Sequence, residues 1–474
     1  MFKSRSSSSS SSSTLGSPAA YELPFKTPGT LIERQLLHYF YVQAAPDLSG
    51  YSSHTFWNNL VLPLCHSEPA VRHATLALGA LHRDYVVEGI KNPDRDQINS
   101  NALLQYNKAL RQLQKYISNK ELLDEKTILV CCKLFYCIEV ARQDYPTALR
   151  HVRAGLVLLK EWGGRQKKRP ISNMNTTSLD DVDDLVEAFC ALDVQIRIFE
   201  NGKPPYVVLT TPEERSGAVS CVPPTFHSLA DAWNVTKKLV NWGSHFLASR
   251  IEHERGVPED NEIGNMSERA VLEKAIDQWP TPFRAFMESQ NSNTPSVDRD
   301  SAVMCAAIHR GMKVLVHLAA GESAVEVNGD INDILDMVAA IIDNQDIDTK
   351  SPHRGFGFET GLISVLWLLM MNAQDPAMRA RALRLMKMWP RREGIWDGAR
   401  MSTVVEKVQN FAQSSRFSAD KPKERQGSSA DNPGILYMDG FSKILGVLDG
   451  KRRMQSERGA KSPEIKPDGA DYPV

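Results

Sequence analysis

From Leu31 onward, apolar residues return every three or four positions, a period that few folds can satisfy. Val71, Ala74, Leu78, Leu81 and Tyr85 follow it, as do Leu103, Tyr106, Leu110, Leu113 and Ile117, and Leu185, Phe189, Leu192, Ile196 and Phe199. Each set lines one face of a helix, and that face needs another helix to cover it. The pattern predicts further helices near 31–43, 54–65, 123–143, 145–162, 225–253, 266–290, 299–319, 330–345, 360–373, 376–388 and 399–417. Strand signals are almost absent; Tyr206 to Leu209 (YVVL) is a β-branched run too isolated to seed a sheet. The expected fold class is all-α, a multi-helix array or bundle of antiparallel helix pairs. No repeat of about 33 to 47 residues is strict enough to name.

Punctuation divides the chain. Residues 1–27 are rich in Ser and broken by Pro18 and Pro24, which predicts a disordered leader or linker. Residues 28–417 form the expected helical body, and 418–474, polar apart from Ile435 to Leu448, a mostly disordered tail. Within the body, Ser178-Leu-Asp-Asp181 has the form of a capping box, and Gly163-Gly164 is expected to close the helix ending in Trp162. Gly202-Lys-Pro-Pro205 and Pro223-Pro224 bracket an irregular surface crossing, and Ser289 to Pro295 separates a central from a C-terminal helical block.

The 56 basic and 57 acidic residues leave a net charge of -1, which excludes a body that coats nucleic acid or an anionic membrane by bulk charge. The N-terminus carries Lys3 and Arg5 and then Ser6 to Ser13, without the apolar core of a secretory signal. Leu362 to Met371 (LISVLWLLMM) is about half the ~20 residues of a spanning helix and reads as a core helix. Cysteines 65, 131, 132, 137, 190, 221 and 305 are never spaced C-x-x-C, so reduced, mostly buried thiols in an intracellular chain are expected. The sequons at Asn175, Asn234 and Asn265 are then chance matches.

No catalytic constellation emerges. The motifs H-E-x-x-H, G-x-x-x-x-G-K-[ST] and G-x-S-x-G are all absent. Gly355-Phe-Gly357-Phe-Glu-Thr-Gly361 resembles a nucleotide loop, but its last glycine falls one place late and no strand precedes it. His309 and His317 stand about 12 Å apart along one helix, too far to share a metal. His82 reads as a hydrogen-bonded core residue rather than a ligand, and Cys131, Cys132 and Cys137 as small fillers beside Leu134 and Phe135. Asp193 and Arg197, at i and i+4, read as a structural ion pair tying two helices together rather than a general acid. Arg165 to Arg169 and Lys451 to Arg453 are nuclear-import or phosphate-contact candidates, or else solvated loop charge. The expectation is no enzyme, no catalytic, cofactor-binding or metal-ligating residue, no cofactor and no membrane partner.

Several blocks stand in a recognisable order: Arg34-Gln-Leu-Leu-His-Tyr-Phe40, Phe56-Trp57, His66-Ser-Glu-Pro-Ala-Val-Arg72, Ala80-Leu-His82, Gln105-Tyr-Asn-Lys-Ala109, Ala191-Leu-Asp-Val-Gln195, Gly357-Phe-Glu-Thr-Gly361, Pro390-Arg-Arg-Glu-Gly394 and Trp396-Asp397. Across about residues 25–415 they resemble the regulatory region of fungal binuclear zinc-cluster (Zn(II)2Cys6-type) transcription factors, especially those tied to secondary-metabolite gene clusters. The resemblance implies a helical regulatory domain preceded by a six-cysteine zinc module and a basic linker. Lys3, Arg5 and the serine run look like that linker, yet no cysteine precedes Cys65, so zinc chelation and direct DNA binding by this chain are not expected. Either an upstream exon is missing or the regulator lacks its own DNA contact.

The resemblance thus implies a nuclear transcription regulator working through protein partners (a co-regulator, a zinc-cluster factor or a second copy) or a small-molecule effector. The alternative is a cytosolic helical scaffold without a transcriptional role.

Overall fold

Thr30 begins the first helix, α1 (Leu31–Tyr39): its hydroxyl accepts from Glu33 N at 3.2 Å while the Glu33 carboxylate accepts from Thr30 N at 2.9 Å, a reciprocal capping box. The computed structural model describes residues 28–50, 56–88, 100–118, 124–166, 176–199, 203–254, 264–290, 296–322, 325–344, 356–358, 361–373, 375–389 and 391–406. After α1 come two π-helical segments, π1 (Phe40–Ala44) and π2 (Phe56–Val61), separated by α2 (Ala45–Ser49). Then follow α3 (Leu62–Ser67), α4 (Pro69–Glu88), α5 (Ser100–Ser118), α6 (Glu125–Arg142), α7 (Tyr145–Gln166) and α8 (Thr176–Phe199). The second half holds α9 (Pro212–Arg215), α10 (Leu229–Glu254), α11 (Arg269–Gln278), α12 (Pro280–Ser289), α13 (Ser296–Ala319), α14 (Asn328–Asn344), α15 (Leu362–Asn372) and α16 (Pro376–Met388). The fold is all-α, as the apolar period requires.

Neighbouring helices fold back on one another: α4 packs on α5, α6 on α7, α13 on α14 and α15 on α16. Between α6 and α7 the turn is only two residues long, made possible by Gln143 in the left-handed region at φ 65°. Where α7 meets α8 the Phe189 ring packs against Gly155, and a Cβ on Gly155 would lie 2.4 Å from that ring. One apolar core runs through the described residues from Leu36 to Val405, with Trp57, Trp242, Trp279 and Trp396 enclosed in it.

Several boundaries differ from those the sequence suggests. Gly163-Gly164 does not end α7, which continues to Gln166; two glycines lower helix propensity without breaking the hydrogen-bond ladder. Ser178 lies inside α8, which begins at Thr176, and the side chains of residues 176–183 lie outside the described residues. The single helix expected over 266–290 is two, joined at Trp279 with Pro280 opening the second, where its missing N–H costs nothing. The break after Ser289 divides the sequence but not the core. α13 packs on α10, with Trp233 Nε1 donating to Ser301 Oγ at 3.0 Å and Thr236 Oγ1 lying 3.3 Å from Cys305 Sγ. Residues Arg299–Ala319 of α13 are long and apolar enough to cross a membrane by composition alone, at mean hydropathy 1.3; here α13 packs against α10, α11, α14 and α15.

Tyr206 to Leu209 forms no strand. Its backbone is held by side chains instead: Val207 N donates to Asp193 Oδ2 at 2.7 Å, Leu209 N to Asn241 Oδ1 at 3.1 Å, and Val207 O accepts from Asn241 Nδ2 at 3.0 Å. The Asp193–Arg197 ion pair therefore lies within one helix, where the sequence suggests a tie between two. The two residues pair within α8 at 3.1 Å, and the Arg197 guanidinium lies 4.3 Å from the Tyr206 ring centre, so the pair fastens the crossing segment. Burial pushes the Asp193 carboxyl above its ordinary value despite these donors.

Among the described residues the only sheet has two-residue strands: β1 (Phe356–Gly357) pairs in parallel with β2 (Arg392–Glu393), which pairs antiparallel with β3 (Trp396–Asp397). It brings Glu393 to the start of α15. There the carboxylate accepts from Leu362 N at 3.1 Å, Ile363 N at 2.9 Å and Trp389 Nε1 at 3.0 Å. The N-terminus of α15 is thus filled from within, since a buried carboxylate occupies the place where an anion would bind, while residues 355, 359 and 360 of the nucleotide-like motif lie outside the described residues.

Candidate functional site: an N-terminal groove

The groove forms between α1 with π1 on one side and π2 with α3 on the other, and is lined by Arg34, Leu37, His38, Tyr41, Asn58, Leu62, Pro63 and His66. Its volume is 690 Å³ and it is open to solvent. The α1 side follows from helical spacing, since Arg34, Leu37, His38 and Tyr41 stand at i, i+3, i+4 and i+7.

The opposite side of α1 is fixed by charge. The Glu33 carboxylate accepts from Gln105 Nε2 at 2.9 Å and pairs with Lys108 at 3.3 Å, and Gln105 Oε1 meets His73 Nδ1 at 2.7 Å. The Thr30 backbone N–H, with Gln105 and then Lys108, holds the Glu33 carboxyl down at about 2. A folded value below the ordinary 4.5 means that Glu33 contributes stability above that pH and loses it as pH falls towards 2. The wild-type chain is expected to exceed Glu33→Gln by roughly 1 kcal/mol at neutral pH. Urea titrations should show that gap closing by about pH 2; a pH-independent gap contradicts the assignment.

Beneath the groove, the two π-helical segments are joined by aromatic rings. Phe40 of π1 packs edge-on to Trp57 at 5.8 Å between centres, and Trp57 to Phe56 at 5.0 Å. Buried Lys133 places its ammonium 4.2 Å from the Phe56 ring centre and donates to Ala188 O at 3.3 Å, fastening π2 between α6 and α8. Behind α1, Tyr39 Oη lies 3.0 Å from His82 Nδ1, and His82 Nε2 lies 3.3 Å from Asp47 Oδ2. Burial would push the Asp47 carboxyl up, but His82 and Gln43 outweigh it and hold it below its ordinary value. His82 is thus the core histidine the sequence suggests, and it joins α1, α2 and α4. Its two flanking contacts position the groove wall.

Chemically, the lining offers one guanidinium, two imidazoles, an amide, a phenol and an apolar strip, with no carboxylate or thiol. Other candidate residues lie elsewhere. His309 Nε2 meets Ile276 O at 3.0 Å, and its ring stacks on Trp279 at 4.2 Å. His317 pairs with Glu322 at 2.5 Å. All seven cysteines are buried and none is disulfide-bonded, and burial lifts Cys65, Cys132, Cys190 and Cys305 to about 12, so they are neutral thiols. Among the described residues no group of three or more His, Cys, Asp or Glu could hold a metal. Lys167 to Arg169 and Lys451 to Arg453 lie outside the described residues.

The described residues thus form an all-helical body with a solvent-open groove near its N-terminal end. Residues 35–322 match the fungal specific transcription factor domain, and the chain belongs to that family. It is 26% identical over 225 residues to the aspercryptin biosynthesis cluster-specific transcription regulator atnN of Emericella nidulans, covering 46% of this chain and 35% of the relative. Over 133 residues it is 29% identical to the transcription regulator lscL of Purpureocillium lilacinum, covering 27% of this chain and 29% of that protein. The alignments thus span 35% and 29% of the relatives' own lengths. No solved structure matches.

Proposed function

We propose that this chain regulates transcription of a fungal biosynthetic gene cluster from within the nucleus, through contacts of its helical body and without catalysis. The observation that carries the reading is the family match over residues 35–322, which includes almost the whole groove. Two relatives named as transcription regulators, one specific to a biosynthetic cluster, support it. A net charge of -1 and seven buried thiols support leaving DNA contact to another module or partner.

The test is to tether the full chain to a heterologous DNA-binding domain upstream of a reporter and to image a fluorescent fusion. A several-fold change in reporter transcript with nuclear accumulation is expected. An unchanged reporter with fluorescence confined to the cytosol would overturn the reading in favour of a scaffold.

A further inference from the structure

Both π-helical segments border the same groove. Such segments are rare, because i→i+5 bonding is poorer than the α-helical ladder, and they concentrate where function requires an unusual backbone. Among the lining residues Arg34 is the one cation and no acid stands beside it, while His38 and His66 offer imidazole nitrogens and Arg72 approaches from behind, donating to Cys65 O at 3.0 Å. Leu37, Tyr41, Leu62 and Pro63 supply the apolar strip, and Tyr41 is 58% exposed although it is aromatic. Leu31 and Val42, exposed at 63% and 54% on the same segment, extend the apolar surface.

An enclosed cavity would suit a small molecule, whose surface must be mostly covered to bind well. This groove is open to solvent, which suits an extended occupant laid along it. We propose that it receives an amphipathic helical segment of a partner protein, with apolar side chains seated on Leu37, Tyr41 and Leu62 and carboxylates beside them facing Arg34, His38 and His66. The inference rests on the regulatory reading above and names the chemistry of its partner. The walls are fixed by the Phe40–Trp57 contact and by Glu33, so the occupant meets a preformed surface and the protein loses little freedom on binding.

The test uses the full chain and two synthetic helical peptides sharing one leucine face, one flanked by glutamates and the other by lysines, followed by fluorescence anisotropy. The glutamate peptide is expected to bind about tenfold or more tighter, and to weaken as salt is raised. Arg34→Glu should reverse the preference, and Arg34→Gln, which introduces no repulsion, should reduce it; circular dichroism verifies that both variants fold. Equal binding of the two peptides, binding of neither, or an unchanged preference in Arg34→Glu would overturn the proposal. So would displacement of the glutamate peptide by a peptide of residues 435–448, which would make the chain's own segment the occupant. A dimer that Arg34→Glu dissolves would make it a second copy. Loss of the peptide preference with the tethered reporter still active sinks this inference alone; a silent reporter with the preference intact sinks the regulatory reading.

Discussion

Glu393→Ala is expected to destabilise the chain by roughly 3 to 5 kcal/mol, because the carboxylate satisfies three buried donors at once: Leu362 N, Ile363 N and Trp389 Nε1. No water can replace it readily, since Glu393 is buried and Leu362 and Ile363 at the start of α15 are fully enclosed. Gly361→Ala should cost about 1 to 3 kcal/mol for a different reason. A Cβ at Gly361 would stand 2.5 Å from the Glu393 carboxyl carbon, while the Gly361 φ of -136° is open to any residue, so the cost is space rather than backbone strain. The two changes must therefore be coupled: once the carboxylate is gone, the methyl group has room. Urea midpoints of both single variants and the double variant should give a combined loss smaller than the sum. Glu393→Gln, which keeps one acceptor oxygen, should fall between wild type and Glu393→Ala. Simple additivity would mean that Glu393 does not fill the N-terminus of α15.

Acid lability centred on His309 is the second large effect. Burial pushes its imidazole down from 6.5 to about 4, with the Ile276 carbonyl only partly opposing the shift. A folded value below the unfolded one means the unfolded chain binds the extra proton first, so stability is full above about 6.5 and is lost as pH falls towards 4. The shift corresponds to roughly 3 kcal/mol across that window. Burial also lowers His73, His151 and His245, which act in the same direction, whereas the raised carboxyls of Glu139, Asp193 and Glu393 oppose it. Comparison with His309→Gln isolates the term, because an amide can still donate to Ile276 O. Wild type should lose about 3 kcal/mol more than the variant between pH 6.5 and 4, and parallel curves would refute the assignment.

The helices were legible because burial in an all-helical body writes a 3.6-residue period into Val71 to Tyr85 and Leu185 to Phe199. What escaped that period is what departs from ordinary helical geometry. π1 and π2 add residues to a turn, so the patterns over 31–43 and 54–65 read as plain helices. The break at Trp279 was written in Pro280, but the surrounding amphipathic pattern continues across it. Glu393 fills a helix N-terminus over thirty positions upstream, and no local pattern encodes that meeting of distant segments. The groove was half legible. Blocks Arg34 to Phe40, Phe56-Trp57 and His66 to Arg72 carried the family resemblance, while the fact that they meet around one open surface depends on the Phe40–Trp57 and Lys133–Phe56 contacts. A basic residue among exposed apolar ones on α1 was the available signal.

If the helical body is a regulator of biosynthetic genes, the decisive quantity is transcript abundance across the genome of the fungus that carries it, measured with and without this chain. Its removal is predicted to change a contiguous set of biosynthetic transcripts several-fold, and restoring the wild-type chain should return them. Levels that stay the same for every such set, with the chain demonstrably produced in the reference strain, would contradict the account.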